Sequence, residues 1–478
     1  MKKRIKKLSL FIILLLCSTL TVFAKPYNSL DERDTAIKFA GDVIFEEDKT
    51  ESNKKYTTRL GQTSTILVRD SKVTLQKPTI DKTGEPTDRS PLTYGFNSAV
   101  FVYNNGSLNI IDGTINTDAK YGYGVFAFTD GNIIIKDSTI KTKKFYSSGI
   151  AANGGGNIDA SNLEVVTEGS YSSAIKTSTG SGNITVNKGN YTTKGASSPV
   201  VYSTGKIKVT NANLKANMSE GVVIDGPNSV ELNKVKLESM NISASDESKF
   251  KKNIMIYKSL NETVTEPGIF KSKNSTIKTY SGDTFFVTNT EAEINLENNK
   301  INNKTDNFLR IQKSVWGTDG LNGGKVALRL KNQKVDGNII VDKISILSMF
   351  LSDNSKYEGI INGENQAKAL SLHLDKNSKV ILKGDSYISS LFNDDETNSN
   401  IYLNGHKLYV NNVEVEGNSK IIKKEVKKVE KVEKKENTFL ESLKKAVPYL
   451  IDLAILIVII LIIMLFVFIN NKKNNKMY

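Results

Sequence analysis

From Ala99 to Leu237 the apolar positions return about every 25 residues, with pulses opening at Val100, Val125, Ile150, Ile175, Val200 and Val222. Each is followed by a second pulse, at Leu108/Ile110, Ile133/Ile135, Ile158/Ala160, Ile184/Val186, Ile207/Val209 and Val230/Leu232. A third falls at Ile115, Ile140, Leu163, Tyr191, Leu214 and Leu237. Within the second pulse apolar residues alternate with polar or mixed ones over three to five positions, the period-two pattern of a strand with one buried face. No apolar stripe in this stretch keeps a 3.6-residue period for the ten or more positions that a repeat helix needs, and Gly, Asn, Ser and Thr fill the gaps. Three short strands per repeat, each stacked on its counterpart one repeat later, predict a parallel β-helix.

The turn residues keep the same register. Gly131-Asn132, Gly156-Asn157 and Gly182-Asn183 precede the second strand, with Gly106 and Gly205 in equivalent places. Glycine supplies the positive φ of a tight corner, and an Asn repeated at one corner can bond its amide to the next. Tyr121, Tyr146 and Tyr171 form a further column, beside the pairs Ser147/Ser148, Ser172/Ser173 and Ser197/Ser198. These columns are expected along one edge.

The chain ends read as membrane signals. Lys2, Lys3, Arg4, Lys6 and Lys7 precede the apolar run Leu10 to Leu16 and a small-residue close at Val22-Phe23-Ala24, the layout of a secretory signal peptide cleaved after Ala24. Lipoprotein processing at Cys17 would need a small residue where Leu16 stands. Removal of the leader leaves a chain without cysteine, so the expected fold needs no disulfide. Near the other end, residues 449–469 form an apolar stretch interrupted only by Asp452, long enough for one transmembrane helix. Lysines flank it on both sides, so orientation rests on the leader. The expectation is a single-pass type I protein of the cell membrane with an extracellular or periplasmic body and a cytoplasmic C-terminus.

These readings divide the chain into a signal peptide (1–24), an N-terminal lead-in or cap (25–58), a parallel β-helix ectodomain (59–413), a Lys/Glu-rich linker (414–446), the transmembrane helix (449–469) and a tail (470–478). In the linker Val426, Val429 and Val432 recur every three residues, suggesting a helical stalk. Within the ectodomain, Asn241 to Lys252 and Asn261 to Gly268 are expected loop insertions, because coil spacing lengthens there. About 14 coils at about 4.8 Å each would span roughly 65 Å.

Charge changes the picture once it is located. The net +14 comes mostly from the leader, residues 420–446 and the tail, leaving the ectodomain nearly neutral. A nucleic-acid reader concentrates basic residues on one face, so nucleic acid is not an expected partner.

The coils Gly106-Ser107-Leu108 to Thr117 and Gly131-Asn132-Ile133 to Thr142, the segment Ile254-Met255-Ile256-Tyr257, the Trp316-Gly317-Thr318 loop with Gly323-Gly324, and Asn404-Gly405-His406-Lys407-Leu408 resemble bacterial surface proteins of the pectin-lyase-like right-handed parallel β-helix class, often adhesin-like. The resemblance covers roughly residues 66–413. It implies an all-β fold but not one activity, since the class holds lyases, hydrolases and non-catalytic adhesins.

Lyases of that class use an Arg or Lys base with Asp-bound calcium, and the hydrolases use clustered Asp. Between Ser90 and Leu309 there is no Arg, and Asp112, Asp130, Asp137 and Asp159 are scattered singly. Asp112 and Asp137 align one repeat apart, but Asn162 follows them, as expected of solvated turn residues. His373 should point outward and His406 sits in a turn, each without a partner at ligand spacing, so no metal or cofactor is expected. Gly154-Gly155-Gly156 reads as a turn rather than a phosphate loop. The Tyr121/Tyr146/Tyr171 column carries the functional reading. Exposed in register it would form an aromatic platform for a glycan or another host or cell-surface ligand, while the competing reading is a stack that rigidifies a corner. The expected function is that of a membrane-anchored, non-catalytic adhesive protein. Its alternatives are an atypical polysaccharide lyase or hydrolase and a passive envelope spacer.

Overall fold

A computed structural model describes residues 39–178, 180–241, 250–259 and 266–422. The expected leader, stalk, transmembrane helix and tail lie outside these residues, as do the interiors of both loop insertions. No helix of the described residues is long and apolar enough to cross a membrane.

The body is a parallel β-solenoid. In most coils one strand joins a 12-stranded sheet and the second and third join a 22-stranded sheet, while toward the C-terminal end Lys334–Asp336, Lys356–Gly359, Lys379–Leu382 and Ile401–Tyr402 form a separate 4-stranded sheet and a 3-stranded sheet closes the body. Stacking follows the expected repeat except at two positions, where Val165 rather than Leu163 sits on Ile140 and Val201 rather than Val200 sits on Ile175. Val125 pairs with Val100 behind it and Ile150 ahead, Ile133 with Leu108 and Ile158, and Ile140 with Ile115 and Val165. Alternation then does what the pattern predicts. In Asn132–Lys136, Ile133 and Ile135 point into the core while Asn132, Ile134 and Lys136 face out. In two coils the second and third strands fuse into single runs, Asn157–Thr167 and Asn183–Thr193, bent at Asn162 and Lys188, which have positive φ.

That bend is one column of left-handed residues running along the solenoid: Asn53, Lys77, Asp112, Asp137, Asn162, Lys188, Asn211, Lys234, Asn274, Asn298 and Asn332, with φ between 45° and 67°. Asn and Asp dominate because their short polar side chains tolerate this conformation. Their amides bond along the axis, Asn162 Nδ2 donating to Asp137 Oδ1 at 2.7 Å and Asn298 Nδ2 to Asn274 Oδ1 at 2.8 Å. Asp112 and Asp137 therefore serve as turn residues. At the glycine corner the expected amide contact forms between Asn183 and Asn157 (2.9 Å), whereas Asn132 Nδ2 donates instead to the Asp130 carbonyl.

The solenoid begins earlier than the boundary at residue 59. Ala40–Phe45, Lys49–Ser52 and Lys55–Thr58 form a complete first coil, paired in parallel with Thr63–Val68, Lys72–Gln76 and Thr79–Thr83. Its charged residues hide the pattern because one coil of a solenoid buries only a few side chains, here Phe45, Tyr56 and Thr58. It also ends later than residue 413. Val413–Val415 turns back antiparallel on Leu408–Val410, and Asn418 bridges to Tyr402. Among the described residues one short helix, Ser90–Tyr94, departs from the all-β pattern, with Pro91 in its first turn and a close on Gly95 with φ 72°.

The inward side chains form one continuous column from Phe45 to Leu408. The 12-stranded sheet is unusual in having a second, outer apolar layer. Leu67, Phe101, Phe126 and Ala151 face outward yet are fully buried, under Phe39 and Tyr94. Further along, Val223, Met255 and Phe286 are covered by Phe250 and Trp316, which come from the regions where the coils lengthen.

Candidate functional site

The expected tyrosine column exists, at the corner before the 12-stranded sheet. Tyr121, Tyr146 and Tyr171 all adopt φ between 53° and 56°, and each backbone N–H is tied to the next coil, to Phe145 O (3.2 Å), Ser170 O (3.0 Å) and Ala196 O (3.1 Å). Identical backbones force the rings into register. Tyr121 and Tyr146 stack at 5.6 Å between centroids, and Tyr146 and Tyr171 lie 4.9 Å apart, tilted by 30°. Phe145 packs edge-on against both Tyr146 (4.3 Å) and Tyr171 (5.2 Å).

This geometry constrains what the column can do. A sugar stacks on a ring face, but faces turned toward a neighbouring ring are already occupied. Tyr121 is only 8% exposed, whereas Tyr171 is 44% and Phe145 38% exposed. The surface open to a ligand is thus the Tyr171/Phe145 end and not a three-ring strip. Burial raises the Tyr146 hydroxyl above its ordinary pKa, with the neighbouring Tyr171 adding to the effect.

Of the serines beside the column, Ser147, Ser148, Ser172, Ser173 and Ser198 are buried, and Ser197 is half-buried. Ser147 N–H donates to Ser172 Oγ (2.8 Å) and Ser172 N–H to Ser198 Oγ (2.9 Å), while Ser147 Oγ and Ser172 Oγ donate to the carbonyls of Ala119 (2.6 Å) and Lys144 (3.1 Å). Inside them, Thr142, Thr167 and Thr193 donate to the carbonyls of Ser147, Ser172 and Ser198. The threonine and serine bonds repeat over three coils, but Ser148 Oγ and Thr117 Oγ1 at the same corner are buried without a hydrogen-bond partner among the described residues.

Two further groupings were not foreseen. On the outer face of the 12-stranded sheet, between its two covered regions, lies a polar patch. Lys176 Nζ sits 5.7 Å from the Tyr202 ring, and Tyr202 Oη donates to Asp225 Oδ2 at 3.0 Å. Asp225 Oδ1 accepts from Ser259 N–H at 2.8 Å. Burial pushes the Lys176 ammonium down to about 8 and the Tyr202 hydroxyl well up. The patch offers a weakly held proton, a hydroxyl and a carboxylate on one surface. Only outward positions of successive coils form it, and these carry no periodic signal of their own.

The second grouping is an aromatic ladder near the C-terminal end. His373 does face outward, as expected, but stacks between Phe350 (4.4 Å) and Phe392 (4.5 Å), with the Arg329 guanidinium over Phe350 at 5.2 Å. Desolvation lowers the His373 pKa. The coils here differ in length, so equal spacing could not reveal the register. No group of three or more His, Cys, Asp or Glu among the described residues could hold a metal ion.

Comparison with known protein families, characterised proteins and solved structures finds no match to this chain.

Proposed function

We propose that the chain is a cell-surface β-solenoid of the right-handed, pectin-lyase-like and adhesin-like kind, anchored by its C-terminal apolar segment and presenting its flank to a ligand without catalysing a reaction. The observation that carries this reading is the in-register core running from Phe45 to Leu408. A solenoid held by nearest-neighbour coil contacts is stiff along its axis, a property suited to holding a contact surface away from a membrane. The leader and the segment 449–469 supply the topology, with the body outside, the tail inside and lipid contacted through the span. The contact surface is assigned to the Tyr171/Phe145 end of the aromatic column, and its partner to a glycan or a host or cell-surface ligand. Aromatic residues at such surfaces carry a large share of binding energy.

The polysaccharide-active alternative has one observation in its favour. Lys176, with its pKa pushed down to about 8, lies beside Tyr202 and could act as a base. One experiment separates the readings. The full chain in lipid nanodiscs is screened on glycan and host-matrix arrays, with a reducing-end assay on the same polysaccharides. Binding lost in Tyr171→Ala, without product formation, supports the adhesive reading. Product formation abolished by Lys176→Met replaces it with the enzyme, and neither result leaves a spacer. Recovery of the full chain in the soluble fraction after an alkaline wash would remove the membrane anchor.

A further inference from the structure

Three buried polar residues meet at the base of the first loop insertion. Glu220 precedes the strand Val222–Asp225, Asn241 follows Lys236–Ser239, and Lys252 opens Lys252–Tyr257. Lys252 and Asn241 are wholly buried, and Glu220 is 3% exposed. Lys252 Nζ is 3.6 Å from Glu220 Oε1, and Asn241 Nδ2 donates to the same oxygen at 3.4 Å. Ser219 Oγ holds the other carboxylate oxygen at 2.6 Å, and Asn241 Nδ2 also reaches the Lys252 carbonyl at 3.1 Å. The Phe286 ring lies 5.5 Å from Lys252 Nζ, closing the site with an apolar wall.

An amine, a carboxamide and a carboxylate sealed from water are the reactants and the proton carrier for amide exchange. We propose that Lys252 and Asn241 become joined by an isopeptide bond, formed by the chain itself with Glu220 as the proton carrier. Both nitrogens address one oxygen, so they lie within about 7 Å of each other, and the reaction requires Nζ to close on Asn241 Cγ to the roughly 3–3.5 Å of a reactive approach. Glu220 takes a proton from the Lys252 ammonium, and the amine lone pair attacks Asn241 Cγ. The new Nζ–Cγ bond forms, a second Nζ proton passes to Nδ2, the Cγ–Nδ2 bond breaks, and ammonia leaves. Glu220 keeps the first proton. It thereby becomes a donor for Asn241 Oδ1, a buried oxygen with no hydrogen-bond partner among the described residues. Exclusion of water prevents hydrolysis from competing and strengthens the hydrogen bonds that polarise the carbonyl. The product ties the two ends of the insertion together where one coil passes into the next. This inference rests on the buried cluster and is independent of any ligand.

The test is mass spectrometry of the full-length protein. Tryptic digestion should yield a branched species joining residues 237–249 to residues 252–258, lighter by about 17 Da than the two peptides together. Glu220→Gln keeps the shape of the side chain but cannot carry the proton, so the same digest should return two linear peptides with Lys252 unmodified. Wild-type protein whose digest contains only the linear peptides overturns the proposal. So does a 17 Da loss confined to a linear Asn241 peptide, the mark of a cyclic imide. The wild-type measurement decides the matter even where Glu220→Gln fails to fold.

Discussion

Ile134 and Ile135 are adjacent, identical residues on opposite faces of one strand, and the same substitution at each measures what the solenoid core contributes. Ile135 is fully buried between Ile110 and Ala160 of the flanking coils, whereas Ile134 is 39% exposed and lies beside Asn109 and Asp159. Ile135→Asp forfeits about 2–3 kcal/mol of apolar burial. It also places a carboxylate where the described neighbours are apolar, a further cost of several kcal/mol. Together these reach about 5 kcal/mol or more, the whole stability of many domains. Ile134→Asp loses little burial and sets a like charge next to Asp159, costing at most about 1 kcal/mol. Urea denaturation followed by far-UV circular dichroism should show a midpoint near wild type for Ile134→Asp and a collapsed or uncooperative transition for Ile135→Asp. Because coils contact only their neighbours, limited proteolysis should then cut first around Lys136 and Lys141. Equal midpoint shifts, or a larger one at residue 134, would refute the register.

Ser172→Ala removes the acceptor of the Ser147 N–H and should cost about 1–3 kcal/mol by leaving that buried donor unpaired, read as a lower urea midpoint. Replacing Tyr121, Tyr146 and Tyr171 together with Ala should lower the melting temperature as well as any glycan binding, since stacked pairs contribute about 0.5–1.5 kcal/mol each beyond burial. An unchanged melting temperature would mean that the stack does not support the corner. Lys82 is buried with Nζ donating to the carbonyls of Leu60 (2.7 Å) and Thr83 (2.6 Å), and burial pushes its pKa down to about 8. The unfolded chain then binds more protons than the folded one between pH 8 and the ordinary lysine value near 10.5, so this residue makes stability rise with pH across that window. Thermal melts from pH 7 to 10 should show a steeper rise in wild type than in Lys82→Met, which keeps the similar contribution of Lys176.

The strands of the regular coils were legible because the pattern that makes them is local. Alternation selects one face of each strand, and a constant coil length places Val125 on Val100 and Ile135 on Ile110 without further information. The columns of turn residues follow from the same arithmetic, as at Asp112, Asp137 and Asn162. Where the alternation was masked by charge, in the coil at residues 40–58, the pairing became visible only once the next coil lay against it.

Composition and period thus determined a parallel β-solenoid and the identity of its columns, because strand burial and turn conformation depend on nearest neighbours in the chain and one coil away. Tertiary structure alone decided how much of each column meets solvent. Tyr121 and Tyr171 share the same left-handed φ, 53° and 56°, but Tyr121 is almost entirely covered and Tyr171 nearly half open. The apolar outer layer at Phe101 and Phe126 is buried by Phe39 and Tyr94 from outside those coils. Glu220, Asn241 and Lys252 converge across a lengthened coil, where the repeat no longer predicts which residues face one another. Burial on the outside of a solenoid is set by the segments that cross it, and their course is not encoded in the period.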